Sequence, residues 1–463
     1  MDRDRFPLMA VPLIILCTLA YTHFSHADEA LRHKIGQMFI VGFNGTTMTD
    51  SIRADLLDRN LGGVILMGAN CASPVQIQSL TSAIRSAAQT APFIAVDEEG
   101  GLVARLNQSN GFGTTFTEYQ LGTSFHSTDS TAHQAARMAG WLSTSGFTTD
   151  FAPVVDVNVN PQSPAIGYYG RSFSKNPQTV AQHSQVFIDQ FHARGIMTTL
   201  KHFPGHGSAS TDSHLQLPDI TATWADSELI PYRSLIASNR VDIVMIAHLY
   251  NARIDSVYPT SLSWRTITGL LRDTLGYQGV VITDDLYAMK AITDLYGREQ
   301  AAVLAINAGV DILLYVSGAM ENGSSLVRHM VDTIEARVQS GVIAESRINE
   351  SYERIRALKK MFLPTGIPPA LASAQLPSRM MLENYPNPFN PATTIRYGLP
   401  QRAHITLAVY NMLGQQVAML INREDEPGQH EVFFDAGDLA SGVYFYRLQA
   451  GERSETRKLI LTK

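Results

Sequence analysis

The stretch KHFPGHGSASTDSH, residues 201–214, sets Lys201, Asp212 and three histidines (His202, His206, His214) within fourteen positions interrupted by Pro204, Gly205 and Gly207. His202 and His206 stand four apart, a spacing that on a helix would aim both at one metal ion. The proline and glycines forbid that helix, so no metal is expected. Asp212 and His214 stand two apart and can meet in an extended or looped segment. An aspartate bonded to one imidazole nitrogen fixes the tautomer and raises basicity at the other, giving a proton donor and acceptor near neutral pH. Taken alone, a D-x-H segment reads equally as a surface loop with a local aspartate bond. The glycines do not make a phosphate cradle, because the G-K-[ST] ending of nucleotide loops is missing.

What must position these groups is a set of short apolar runs alternating with segments of helical period. The runs are QMFIVGF (37–43), GVILMG (63–68), FIAVD (93–97), DFAPVVDV (150–157), MTTLKH (197–202), DIVMIAH (242–248), VVITDD (280–285) and DILLYV (311–316). Such alternation predicts parallel strands joined by crossover helices, and eight runs predict an α/β fold of the (β/α)8 TIM-like barrel type rather than an open sheet. Helical stretches at 324–339 and 344–362 would complete the outer layer. In such a barrel the carboxyl ends of the strands face the active site. Asp97, Lys201 with His202, and Asp284 close three different runs, and stability alone does not gather ionisable groups at one rim. Singly, Asp97 or Asp284 could instead cap the next helix, and Asp285 can serve as a cap even if Asp284 does chemistry. Arg105 and Arg171 offer forked donors to hydroxyl or carbonyl oxygens, or else are surface ion-pair partners. His248 and Asp255 also lie near a rim, with His248 expected to be a packed strand-end histidine.

The chain has 463 residues, 17% charged, with a formal net charge of −6. That balance offers neither a basic face for nucleic acid nor a polybasic membrane patch. Residues 1–27, with an apolar run from Phe6 to Ala20 and a small-residue site at Ser25-His26-Ala27, are expected to be a signal peptide, leaving no transmembrane span in the mature chain. Its removal would leave Cys71 as the sole cysteine, so no internal disulfide is expected. The barrel is expected over 28–363 and a proline-, alanine- and serine-rich linker over 364–378. Beyond it, runs such as TTIRYGL, HITLAVYN and VYFYRLQ alternate apolar with polar residues around glycine turns, predicting a small all-β, immunoglobulin-like sandwich over 379–463. Tyr444, Phe445 and Tyr446 alternate within one run, as core packing and edge decoration do, rather than forming a flat sugar platform.

The segments AVDEEGGLVARL (95–106), FAPVVDVNVNP (151–161), GRSFS (170–174), KHFPGHGSASTDSH (201–214) and VVITDDL (280–286) resemble, in order and spacing, glycoside hydrolase family 3 and its β-N-acetylglucosaminidase branch. The resemblance spans roughly residues 30 to 360. It implies a retaining exo-β-N-acetylglucosaminidase acting on terminal N-acetylglucosamine of glycans, peptidoglycan or chitin fragments, without a cofactor. The β-glucosidases or β-xylosidases of the same family and a non-catalytic sugar-binding surface protein are the rival readings. By motif, Asp284 is the implied nucleophile, His214 the general acid/base held by Asp212, and Asp97, Arg105, Arg171, Lys201 and His202 the residues that hold the sugar. The segment GYYGRSFS around Arg171 is slightly longer than the family pattern. Residues 379–463 resemble the sorting domain recognised by the type IX secretion system, which implies that machinery as a partner and a secreted or cell-surface location.

Overall fold

The computed structural model describes residues 30–363 except 126, 214, 288, 321 and 322, and residues 380–462 except 386, 390, 426, 427, 438 and 452. The segments expected to be a signal peptide and a linker therefore lie outside the described residues. The chain divides after residue 365 into two compact units.

In the first unit eight parallel strands run β1 (Phe39–Val41), β2 (Gly63–Ile65), β3 (Phe93–Val96), β4 (Thr149–Asp150), β5 (Met197–Phe203), β6 (Ile243–Ile246), β7 (Val280–Thr283) and β8 (Leu313–Tyr315). Their order in the sheet is β8-β1-β2-β3-β4-β5-β6-β7, and a parallel bridge from Ile282 to Ile312 joins β7 to the approach of β8, closing the ring. FIV, FIAV, IVMI and VVIT are buried at every residue, as strands covered on both faces must be. Helices fill the connections. Helix 74–87 starts at Ser73, whose side chain accepts from Gln76 N, carries Pro74 in its first turn, and buries Ile77, Leu80, Thr81 and Ile84 on one stripe. Truncating one such isoleucine or leucine to alanine would cost about 2–5 kcal/mol.

All eight apolar runs hold strands, but the run 150–157 is regular only over Thr149–Asp150. Pro153 has no N–H to give a ladder. The chain nevertheless stays beside β5, with Thr199 N donating to Ala152 O (2.9 Å) and Val155 N to Lys201 O (2.8 Å).

The amino ends of the strands are sealed by buried charge. Lys359, from the last helix (Glu345–Phe362), donates to Gln37 Oε1 and Gly62 O, both at 2.8 Å, and lies 4.5 Å over the Phe93 ring. Asp311 is fully buried against Arg272, Arg347 and Arg354. With that end plugged, ligand chemistry belongs to the opposite rim.

The second unit has a three-stranded antiparallel sheet (Met381–Tyr385, Ala392–Leu399, Gly428–Asp435) and a four-stranded one (Gln416–Asp425, Ala403–Tyr410, Gly442–Ala450, Arg453–Leu461). Ile395, Tyr397, Ile405, Leu407, Tyr446 and Leu448 belong to one core between them. Tyr446 is buried while its neighbour Phe445 is 37% exposed, the alternation of a half-buried strand. Among the described residues no helix is long and apolar enough to cross a membrane.

Candidate active site at the carboxyl rim

β3 hands the chain to Asp97 and then to a tight hairpin, Glu98–Gly100 paired with Val103–Ala104. Gly100 and Gly101 turn it with φ of +96° and +60°, and a Cβ on Gly101 would stand 2.5 Å from Thr117 Cγ2, so this turn requires glycine. The hairpin returns Arg105 to Asp97, Nη2 to Oδ2 at 3.2 Å. Two strands along the ring, β5 presents Lys201, whose ammonium reaches Asp97 Oδ1 at 3.0 Å and Glu99 Oε1 at 2.5 Å. Arg171, from the loop after β4, grips Glu99 with two bonds of 2.8 Å and donates to Ala165 O at 2.8 Å.

His202 joins the same network. Its Nε2 lies 3.3 Å from Arg171 Nη2 and its Nδ1 2.7 Å from Asp156 Oδ2. A guanidinium only donates, so this pairing makes Nε2 the acceptor and puts the ring proton on Nδ1, facing Asp156. Asp156 also accepts from the backbone N–H of His202 and, at 2.7 Å, of His206. Asp97, Arg105, Arg171, Lys201 and His202, all singled out in the sequence, thus stand in one bonded set, with Glu99 and Asp156 as the links the sequence reading missed. Their signals were present: Glu99 follows Asp97 by two in DEEGG, and Asp156 ends the apolar run FAPVVD.

The charges are balanced by burial and pairing. Burial alone would raise the carboxyl of Asp97, but Lys201 and Arg105 hold it below the usual range. The same contest, won by Arg171 and Lys201, keeps Glu99 ionised, and His202 does so for Asp156. Lys201 is pushed up, since Asp97 and Glu99 outweigh its burial. Three flanking acids go the other way: desolvation lifts Glu98 to about 8 and holds Glu118 and Asp150 well above the carboxylate range. Within this bonded set three carboxylates face Lys201, Arg105 and Arg171, so the set presents directed donors and acceptors with little net charge of its own, which suits an uncharged hydroxyl-rich ligand.

Asp284 follows β7, its N–H donating to Ile246 O at 3.0 Å, with a partly exposed side chain whose Oδ1 accepts from Asp285 N at 2.8 Å. Asp285 is not a helix cap: its Oδ1 accepts from Tyr287 N and Val316 N, both at 2.9 Å, tying the loop to the end of β8, and the next helix begins only at Lys290. Nor does a helix follow Asp97. His248 is fully buried between Ser261 Oγ (2.7 Å) and the Asp285 carbonyl (3.1 Å), a packed strand-end histidine that steadies the loop carrying Asp284. Asp255 caps its own turn, accepting from Val257 N and Ser263 Oγ.

The loop leaving β5 is pinned at its start. Gly207 lies so close to Val157 that a Cβ would come within 1.7 Å of its carbonyl oxygen, Trp224 Nε1 donates to Pro204 O at 3.1 Å, and Asn160 Nδ2 to Ala209 O at 3.1 Å. Asp212 is partly buried farther along, and His214 lies outside the described residues. Between them, the Ser213 carbonyl accepts from Ala291 N at 3.4 Å, so this loop meets the helix that follows Asp284. Among the described residues no group of three or more His, Cys, Asp or Glu could hold a metal ion.

The fold and site define an eight-stranded α/β barrel protein with its polar, ionisable groups gathered at the carboxyl rim, where barrels of this class place their ligand chemistry. Residues 30–358 match the model described as the glycosyl hydrolase family 3 N terminal domain, and the chain belongs to that family. Residues 383–462 match the secretion system C-terminal sorting domain. The chain is 34% identical over 358 residues to β-hexosaminidase A of Pseudoalteromonas piscicida, covering 71% of this chain and 59% of that protein. A family 3 β-N-acetylglucosaminidase from Paenibacillus sp. str. FPU-7 superposes with a TM-score of 0.66 at 35% identity, over 71% of this chain and 62% of that one. The β-N-acetylhexosaminidase of Beutenbergia cavernae DSM 12333 does so with a TM-score of 0.65 at 28% identity, over 71% and 98%. This chain thus spans under two thirds of the first two proteins.

Proposed function

We propose that the protein is an exported, retaining exo-β-N-acetylglucosaminidase. The observation that carries this reading is the bonded set Asp97–Lys201–Glu99–Arg171–His202–Asp156. It fixes donors and acceptors at one rim before any ligand arrives, so little ordering remains to be done on binding. In a chain similar to β-hexosaminidases, that set would hold a terminal amino sugar by its hydroxyls and acetamido group.

Asp284 then attacks the anomeric carbon while His214, held by Asp212, gives its proton to the departing glycosidic oxygen. The glycosyl-enzyme ester so formed is opened by water that His214 deprotonates, returning Asp284 and releasing the sugar with its β configuration. After donating its proton an imidazole is neutral where a carboxylic acid would be anionic, so an anionic acceptor such as phosphate is repelled less than in a two-carboxylate site. The C-terminal sandwich serves as an address for type IX export and delivers the enzyme to the cell surface or medium.

The test is turnover of an aryl N-acetyl-β-glucosaminide against the matching aryl β-glucoside, with the first-formed anomer read by NMR. Hydrolysis of the amino sugar to the β anomer, abolished in Asp284→Ala at unchanged Tm, is expected. Preference for the glucoside, an α first product, or activity surviving in Asp284→Ala rejects the reading.

A further inference from the structure

We propose that the exposed pair Tyr168–Tyr169 forms a second saccharide subsite beside Arg171, taking the pyranose ring on the leaving-group side of the scissile linkage in a β-linked oligosaccharide. The inference rests on the glycosidase reading above and assigns it a substrate class, oligosaccharides rather than simple glycosides.

Tyr168 is 72% exposed and Tyr169 43% exposed, and their rings meet edge to face at 5.2 Å. Of the seven aromatic side chains classed as exposed among the described residues of the barrel unit, five (Phe116, Tyr119, Phe125, Tyr168, Tyr169) lie on the two connections that follow β3 and β4. These are the connections that also bring Asp97, Glu99 and Arg171 to the rim. Exposed aromatic side chains concentrated on the two connections that build a polar site mark a binding surface more than scattered decoration does.

The platform is held still. Tyr168 N donates to Ser163 O at 3.0 Å, Gly170 N to Gly167 O at 3.1 Å and Arg171 N to Ile166 O at 3.1 Å, while Tyr119 N donates to Gly170 O at 3.0 Å and ties the two connections together. Its occupant follows from continuity. Tyr169 is two residues from Arg171, a reach of about 7 Å at most along the backbone, and Arg171 Nη2 lies 3.3 Å from His202. In the proposed arrangement a sugar chain held at Arg171 has its next ring within reach of these tyrosines, which leave the backbone one and two positions before Gly170 and close to the residue that grips Glu99. Tyrosine fits that ring: the aromatic face meets the C–H face of a pyranose, and the phenol hydroxyl stays with water and the sugar's equatorial hydroxyls.

The experiment compares the full chain with Tyr168→Ala/Tyr169→Ala and Tyr168→Phe/Tyr169→Phe on two substrates, triacetylchitotriose and N-acetyl-β-glucosaminyl fluoride, whose leaving group has no ring. For the alanine pair, KM for the trisaccharide should rise about tenfold with kcat nearly unchanged, as loss of one stacking face and of the ring that buttresses it edge-on implies. The fluoride should be hydrolysed as by the wild type, and the phenylalanine pair should recover most of the lost affinity. An unchanged trisaccharide KM, or an equal loss on both substrates through displacement of Arg171, would overturn the subsite. If the wild type hydrolyses neither compound, the glycosidase reading has failed and calorimetric binding of the trisaccharide decides the subsite alone. Weaker binding to the alanine pair than to the wild type then supports it, and equal affinities or no binding reject it.

Discussion

Glu99→Gln is the perturbation that best separates a preformed sugar cage from a chance cluster of charges. The wild-type carboxylate, 2% exposed, is shared by Lys201 and both arms of Arg171 at 2.5 to 2.8 Å. Removing one partner of a buried pair costs about 3–5 kcal/mol, because the remaining charge stays desolvated without its mate. Here Lys201 keeps Asp97, and Arg171 keeps the Ala165 carbonyl and His202. The loss should therefore fall at the lower end, about 3 kcal/mol, or about 6 °C in Tm at some 2 °C per kcal/mol for a large domain. Lys201 and Arg171 both lose their alignment, so kcat/KM for an aryl N-acetylglucosaminide should fall about a hundredfold, the penalty for misplacing a positioning group by about 1 Å. The sign of the pH dependence is fixed as well. A carboxyl held below its unfolded pKa contributes stability that is complete above the usual carboxylate range and is lost only as pH falls through the depressed value. With Glu99 held far down by Arg171 and Lys201 against burial, the Tm gap between wild type and variant should stay flat from about pH 6 to pH 9 and close only in strong acid. A Tm loss under about 1 °C, or a gap that titrates away near neutrality, would refute the reasoning.

Two further outcomes are expected. If Asp212 holds His214 as proposed, Asp212→Ala should slow both half-reactions and move the alkaline limb of the kcat/KM profile to lower pH, whereas an unchanged profile speaks against the pair. Lys359, buried at the amino end of the barrel, has its pKa lowered by desolvation to about 7. The unfolded chain then binds the extra proton between about pH 7 and 10 and wild-type stability rises with pH across that window. In Lys359→Met the dependence disappears, so the Tm of the variant relative to the wild type should fall steadily from pH 7 to 10 in a thermal-shift series, and a constant difference would show that the ammonium is not desolvated there.

Much of the fold was legible because its signals are local. Each barrel strand lies in an apolar run bounded by polar or turn residues, and several of the following helices carry their own cap and period, as in the Ser73-Pro74 start with Ile77, Leu80 and Ile84 behind it. The run 150–157 was read too long because an apolar string does not reveal where Pro153 interrupts the ladder. Asp285 resembled a cap because the sequence does not show that its acceptors are used by Tyr287 and Val316, the latter 31 residues away. Glu99 and Asp156 escaped notice for the same reason: the partners that give them meaning, Arg171 and His202, lie 72 and 46 positions along the chain.

By itself, then, the order of residues determined which segments become strands and helices, and which ionisable groups stand at strand ends, since both are settled within a few positions by periodicity and turn chemistry. Only the closed barrel decided which of those groups touch. Bringing β3, the loop after β4 and β5 to one rim converts scattered acids and bases into a bonded set, in which close partners overcome burial and favour the charged forms of Asp97, Glu99 and Asp156, while burial prevails and disfavours those of Glu98, Glu118 and Asp150. Charge state depends on desolvation and on partners within a few ångströms, quantities that no sequence separation encodes.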